Sequence, residues 1–173
     1  MNRYPIGKLV DLAGVLTGRK RIQKIVHLLK AAGCAVDAYY RLDFYGPYSD
    51  DVASALNQLV QDDLFVEAEL PTGASGRQFS YRLSESGSRS LQELEKTPEG
   101  RAASKLIEPH KPLLRKLLKT DLTQLELAST IVFKRQAGSD WGDAIEGTCS
   151  FKHGKRNEPA LAAAARLARS IVS

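Results

Sequence analysis

The sequence predicts a mostly α fold with a small β wing: a winged helix-turn-helix domain over residues 1–85, followed by a helical C-terminal extension over residues 86–173. Three observations predict it. Ile22, Ile25, Val26 and Leu29 recur at the spacing of one buried helix face. Gln78-Phe-Ser-Tyr-Arg-Leu alternates strictly, the pattern of a half-buried strand. Beyond Leu83 helix caps and helical apolar spacing follow one another to the end of the chain.

In chain order, residues 5–17 carry Ile6, Leu9, Val10 and Ala13 on one stripe, and Gly18 breaks that helix. The second helix starts in Arg19-Lys-Arg and stops at Gly33; its polar side shows Arg21, Lys24 and Lys30. Ala38-Tyr-Tyr-Arg-Leu-Asp-Phe-Tyr is aromatic and alternating, so it predicts a short strand with Phe44 in the core, ended by a Gly46-Pro47 turn. Ser49 is a good N-cap for a third helix whose first turn holds Asp50 and Asp51 and whose inner face holds Val52, Leu56, Leu59 and Val60. Leu64-Phe-Val-Glu-Ala-Glu-Leu and residues 78–83 flank the turn-rich Pro71-Thr-Gly-Ala-Ser-Gly and predict the two-stranded wing. Helix, helix, strand, helix and wing is the winged-helix order. In the extension, a helix around Leu91 and Leu94 breaks at Pro98. Residues 102–118 continue with bends at Pro109 and Pro112. Asp121 and Gln124 form a capping box, Ser139 caps a helix holding Trp141, and Asn157 opens the last helix.

The chain has 173 residues, 43% hydrophobic and 26% charged, enough to build a real core. No apolar run of about 18 residues predicts a membrane span. The N-terminus has no apolar signal segment, so a cytoplasmic location is expected. Cys34 and Cys149 show no metal-type spacing and are expected to be reduced thiols. The net charge of +5 conceals a division: residues 1–30 balance at +6, residues 41–95 at −6 and residues 96–173 at +6. Such asymmetry marks either a polyanion site or two surfaces that attract each other or a partner.

Catalysis has little to stand on. His27, His110 and His153 lack partners at metal-ligand spacing, and no nucleophile elbow or phosphate-binding glycine loop occurs. The paired acids at Asp50/Asp51 and Asp62/Asp63 are explained by helix capping and a solvated helix end. No enzyme activity, cofactor or metal is expected. Nucleic-acid binding is the serious alternative, and its candidates are Arg19, Lys20, Arg21 and Lys24, wing residue Arg77 with Arg82, and Lys152, Lys155 and Arg156 of a basic loop. A solvated helix start explains the first cluster equally well. The third helix, which enters the major groove in a winged helix, carries four Asp at its ends and neither Lys nor Arg. Phosphate neutralisation dominates DNA affinity, so that helix opposes standard docking. Tyr45 and Tyr48, beside Asp50 and Asp51, are candidates for a protein-binding surface, because aromatic side chains concentrate binding energy.

Arg21-Ile-Gln-Lys-Ile-Val-His-Leu-Leu, then Phe44-Tyr-Gly-Pro-Tyr-Ser and Val52-Ala-Ser-Ala-Leu, resembles the YwgA-like uncharacterised bacterial proteins, and more distantly the Panacea (SocA-like) antitoxin domain. His27 stands where that pattern has a tyrosine. Leu125-Glu-Leu-Ala-Ser-Thr-Ile-Val-Phe and Phe151-Lys are similar to later motifs of the YwgA-like group. The resemblance implies a regulatory, toxin–antitoxin or defence role in a prokaryotic or phage setting, exercised on a protein partner, and brings no catalytic residues. A homodimer is a further possibility for helical extensions of this kind.

Overall fold

The computed structural model describes residues 3–71, 77–151 and 158–172. Helix α1 (Tyr4–Ala13) has Pro in its first turn and buries Ile6, Leu9 and Val10. It stops short of the expected Thr17. Leu16–Thr17 instead form a short strand, β1, which pairs antiparallel with a later strand through Leu16 and Tyr81. Burying Leu16 at 1% exposure in a sheet wins over continuing the helix past Gly14. Helix α2 (Arg19–Ala31) buries Ile22, Ile25, Val26 and Leu29 as their spacing requires.

Between α2 and the next helix lies a hairpin, not a single strand. Strand β2 (Arg41–Asp43) turns at Phe44-Tyr45, and β3 (Gly46–Tyr48) returns, pairing Arg41 with Tyr48 and Asp43 with Gly46. The expected Gly46-Pro47 turn is therefore the first part of the returning strand. Gly46 has a φ of 88°, open to glycine at little cost. Phe44, expected in the core, sits at the hairpin tip and is 78% exposed. Alternation placed it on an inner face, but the two-residue reversal carries it away from any partner sheet.

Helix α3 (Asp50–Gln61) starts at Ser49, whose Oγ accepts from Val52 N at 3.3 Å. Strands β4 (Phe65–Leu70) and β5 (Gln78–Leu83) pair antiparallel and, with β1, make a three-stranded sheet in the order β1-β5-β4. Helix α4 (Glu85–Lys96) packs so closely on Leu64 that a Cβ on Gly87 would lie 2.0 Å from the Leu64 carbonyl oxygen.

The proline-rich stretch divides into α5 (Pro98–Ile107), a 3-10 turn (Glu108–His110) and α6 (Lys111–Lys119), where bends in one helix were expected. Asp121 caps α7 (Leu122–Gln136) as predicted, accepting from Gln124 N at 2.9 Å. Asp140, rather than Ser139, opens α8 (Trp141–Phe151), its Oδ1 accepting from Asp143 N at 2.8 Å. The last helix is α9 (Glu158–Arg169).

Every residue of α7 from Leu125 to Val132 is buried. The buried stretch includes the polar Glu126, Ser129 and Thr130 as well as apolar residues, because α7 is surrounded by α2, α8, α9 and the hairpin strand β3. One continuous hydrophobic cluster accordingly runs from Ile6 and Leu9 through Ile25 and Leu29 to Ile131 and Leu167. A second tie crosses between the halves: the buried ammonium of Lys8 lies 2.6 Å from Glu95 and 3.6 Å from Glu108. Burial opposes its charge, yet the Glu95 hydrogen bond and charge hold its pKa above the ordinary lysine value. Among the described residues, no helix is long and apolar enough to cross a membrane.

Candidate functional site

The charged face of α2, the hairpin and the first half of α3 enclose a cleft of about 200 Å³. Arg19, Lys20 and Lys24 reach it from α2, Tyr45 and Tyr48 from the hairpin, and Leu56 from α3. Five of the residues singled out in the sequence thus meet in one place, although α2 and the hairpin are separated by nine residues of chain.

Their environments differ. Lys24, expected on an exposed face, is 2% exposed, and its Nζ donates to the Pro47 carbonyl at 2.6 Å. Lys20 is exposed, and its ammonium lies over the Tyr45 ring, 3.5 Å from the centroid. Arg19 donates to Tyr81 Oη at 2.6 Å and to Glu67 at 2.8 Å, and the Tyr81 hydroxyl donates to the same carboxylate. Burial, then the bond to Glu67, pushes the Tyr81 hydroxyl up to about 12. Burial alone would raise Glu67, but the hydrogen bonds from Tyr81 and Arg19 outweigh it and keep the carboxyl below its usual range.

The remaining candidates lie apart from this group or are committed elsewhere. Arg21 donates to the Thr120 carbonyl at 2.6 Å and so satisfies the C-terminal end of α6. Asp50 pairs with Arg41, whose guanidinium also lies 5.2 Å from the Tyr48 ring centroid. Asp51 accepts from the Tyr39 backbone N–H at 2.8 Å. Arg77 is 80% exposed on its side chain and 3.7 Å from Glu69. Lys152, Lys155 and Arg156 lie outside the described residues.

The most informative residue was not singled out. The Gln23 side chain donates to the Ser49 carbonyl at 2.9 Å and accepts from Ser49 N at 3.0 Å, pairing with that residue as a strand would. Beside it Lys24 holds Pro47, and the Tyr40 hydroxyl donates to the Gln23 carbonyl at 3.3 Å. The Gln-Lys of α2 and the Pro-Tyr-Ser of the hairpin therefore form one buried clamp. A Cβ on Gly46 would lie 2.7 Å from Thr130 Oγ1 of α7 and 3.6 Å from Lys24 Nζ, so the hairpin backbone is pressed against both helices. A buried amide at a helical core position was the available signal, because such a group must find hydrogen-bond partners.

His27 lies three residues beyond Lys24 on α2, outside the lining of the cleft. It is buried, its Nδ1 lies 2.9 Å from Ser129 Oγ, and Tyr40 meets its ring edge-on at 4.7 Å between centroids. Burial first, then the charges of Lys24 and Lys30, depress its pKa to about 3, so the ring is neutral. Among the described residues, no group of three or more His, Cys, Asp or Glu side chains is placed to hold a metal ion.

The segments that make the clamp are those that carry the family resemblance, and comparison with known proteins agrees with it in part. The chain is similar to YwgA. It is 30% identical over 84 residues to this uncharacterised protein of Bacillus subtilis (strain 168). The aligned stretch covers 49% of the chain and 50% of YwgA, so the likeness reaches about half the length of that relative. No family model matches the chain.

Proposed function

We propose that the chain is a non-catalytic winged-helix interaction module that acts through a protein partner, with the tip of the β2–β3 hairpin as the contact. The observation that carries this reading is the tip itself. Phe44 is 78% and Tyr45 50% exposed, packed edge-on against each other with centroids 5.0 Å apart. Residues 37–51, which bear them, hold four Asp against one Arg. Exposed paired aromatics in an acidic surround favour a protein surface over a polyphosphate backbone.

The basic residues support the same side. Arg19 meets Glu67, Arg41 meets Asp50 and Arg77 lies near Glu69, all within the acidic middle of the chain, while Arg21 and Lys24 are spent on backbone carbonyls. For the winged-helix reading, the support is the order α1-β1-α2-β2-β3-α3-β4-β5, in which the β2–β3 hairpin is inserted between α2 and α3 and β1 completes the sheet beside β5. The regulatory or antitoxin-like setting belongs to the proposal through the resemblance alone.

Two measurements test it. Fluorescence anisotropy with random duplex DNA is expected to show no binding at low salt. Micromolar binding that weakens steeply with salt would instead favour a nucleic-acid regulator working through Lys20 and the basic arms. A photo-crosslinking amino acid at position 44 is expected to trap one protein in cells. Its purified form should bind the Phe44→Ser variant at least about tenfold more weakly, as for an aromatic hot spot; unchanged affinity rules out the tip as the contact.

A further inference from the structure

The cleft behind the hairpin has a chemistry of its own, independent of what the tip touches. Its volume of about 200 Å³ is small: an apolar cavity of about 150 Å³ holds one benzene ring, so a single ring with one substituent is the size that fits. The walls available to such a ring are the Tyr45 and Tyr48 side chains, Ala53 and Leu56. Leu56 is 3% exposed and Ala53 half-buried, which makes the floor apolar.

One end of the cleft is electropositive. Arg19 and Lys20 belong to the first turn of α2, a 13-residue helix with neither a side-chain cap nor an acidic residue in that turn. The positive end of the helix dipole and the Lys20 ammonium therefore act in the same sense. Arg19 is held by Glu67 and Tyr81, whereas Lys20 is exposed, lies over the face of the Tyr45 ring with no ion pair or side-chain hydrogen bond to the described residues, and can swing to an anion without losing an ion pair. The carboxylate that lines the cleft, Asp43, accepts from the Phe44 backbone N–H at 2.6 Å, which draws its charge toward the hairpin turn. A bare inorganic anion would find the cation but leave the apolar floor unfilled; a neutral ring would fill the floor and leave the cation unmatched.

We infer that this cleft is a binding site for a small monocyclic carboxylate, its ring between Tyr45 and the Ala53–Leu56 face of α3 and its carboxylate at Lys20. Because Tyr45 is shared by the cleft and the hairpin tip, an occupant would set the position of the tip. Binding itself can be measured without any partner, so its failure and the failure of the protein-partner reading are separable.

The test is titration of the full chain with sodium benzoate, followed by ¹H–¹⁵N correlation spectra, against benzylamine, acetate and inorganic phosphate. Benzoate is expected to shift the amides of Lys20, Tyr45 and Gly46 with a dissociation constant of about 1 mM or tighter, within the range nine heavy atoms can supply. Benzylamine, acetate and phosphate should each bind at least about tenfold more weakly. Lys20→Ala, at an exposed site, should weaken benzoate at least about tenfold with the thermal midpoint unchanged, and Ala53→Phe should abolish binding by filling the cleft. Benzylamine or phosphate binding as well as benzoate, an unchanged affinity in Lys20→Ala, or no shift at 20-fold that concentration (about 20 mM) overturns the assignment.

Discussion

His27 shows how far a neighbourhood can move one side chain. An imidazole ordinarily titrates near 6.5, and here burial and two nearby ammonium groups lower that to about 3. The sign of the consequence follows from which state holds the proton. Between about 3 and 6.5 the unfolded chain is protonated at this site and the folded chain is not, so stability is full above 6.5 and falls as the pH drops through that window. The His27 ring resonances should accordingly stay constant from pH 8 to about 4, while the urea midpoint declines over the lower part of the range. A ring that titrates near 6.5 in the folded protein would mean that the site is open to water. The same neighbourhood satisfies the buried ring: Ser129 offers its Nδ1 a hydrogen-bonding hydroxyl at 2.9 Å.

Among the elements, the β2–β3 hairpin depends most on others. A two-stranded ribbon of three residues a side is not stable by itself. It is held by Gln23 and Lys24 of α2, by the close approach of Gly46 to Thr130 of α7, and by Ser49 opening α3. Gln23→Ala removes two hydrogen bonds and leaves the buried Ser49 N–H without a partner, while the Ser49 carbonyl keeps the Ala53 N–H at 3.2 Å. A loss of about 2–3 kcal/mol in urea unfolding is expected, since each bond contributes about 1 kcal/mol and an unsatisfied buried group costs more. A loss below about 0.5 kcal/mol would mean that water replaces the amide freely and that the clamp does not hold the hairpin. Because the tip residues Phe44 and Tyr45 ride on this clamp, the same substitution should weaken partner binding without touching the contact.

At the scale of the whole molecule, the front and rear halves of the chain share one interior. Leu125, Ala128, Ile131 and Val132 of α7 are fully buried, the helix packs along α2, and Ser129 reaches back to His27. Lys8 adds the tie from α1 to Glu95 and Glu108. The segment 1–85, although it contains α1–α3 and the sheet β1-β5-β4, should therefore fail to fold alone. Removing the rear half would uncover His27, whose ring meets Ser129 and Phe133 of α7, and would strip Leu125, Ile131 and Leu167 from the shared cluster, where each buried aliphatic side chain contributes roughly 1.5–3 kcal/mol. Circular dichroism and heteronuclear spectra of that fragment are expected to show a poorly dispersed, loosely packed state. A cooperative melt with dispersed resonances would make that segment a domain in its own right.

The sequence by itself determined the helices, their caps at Ser49 and Asp121, and the alternation of β5, because each rests on neighbours within four residues or on the two-residue period of a strand. It also determined the acidic character of α3, a property of composition. Only the tertiary structure decided the rest. Lys24 belongs to the polar side of α2 until the hairpin covers it, and Leu16–Thr17 is a strand only because β5 offers an edge. Phe44 alternates with core residues but is exposed because the chain reverses at its own position. The cleft had no signature along the chain: its walls come from three elements, and the apolar and cationic ends become neighbours only when the clamp brings the hairpin onto α2. Local pattern records which backbone states a segment prefers; which surface covers it depends on contacts far apart in sequence, and those carry the binding geometry.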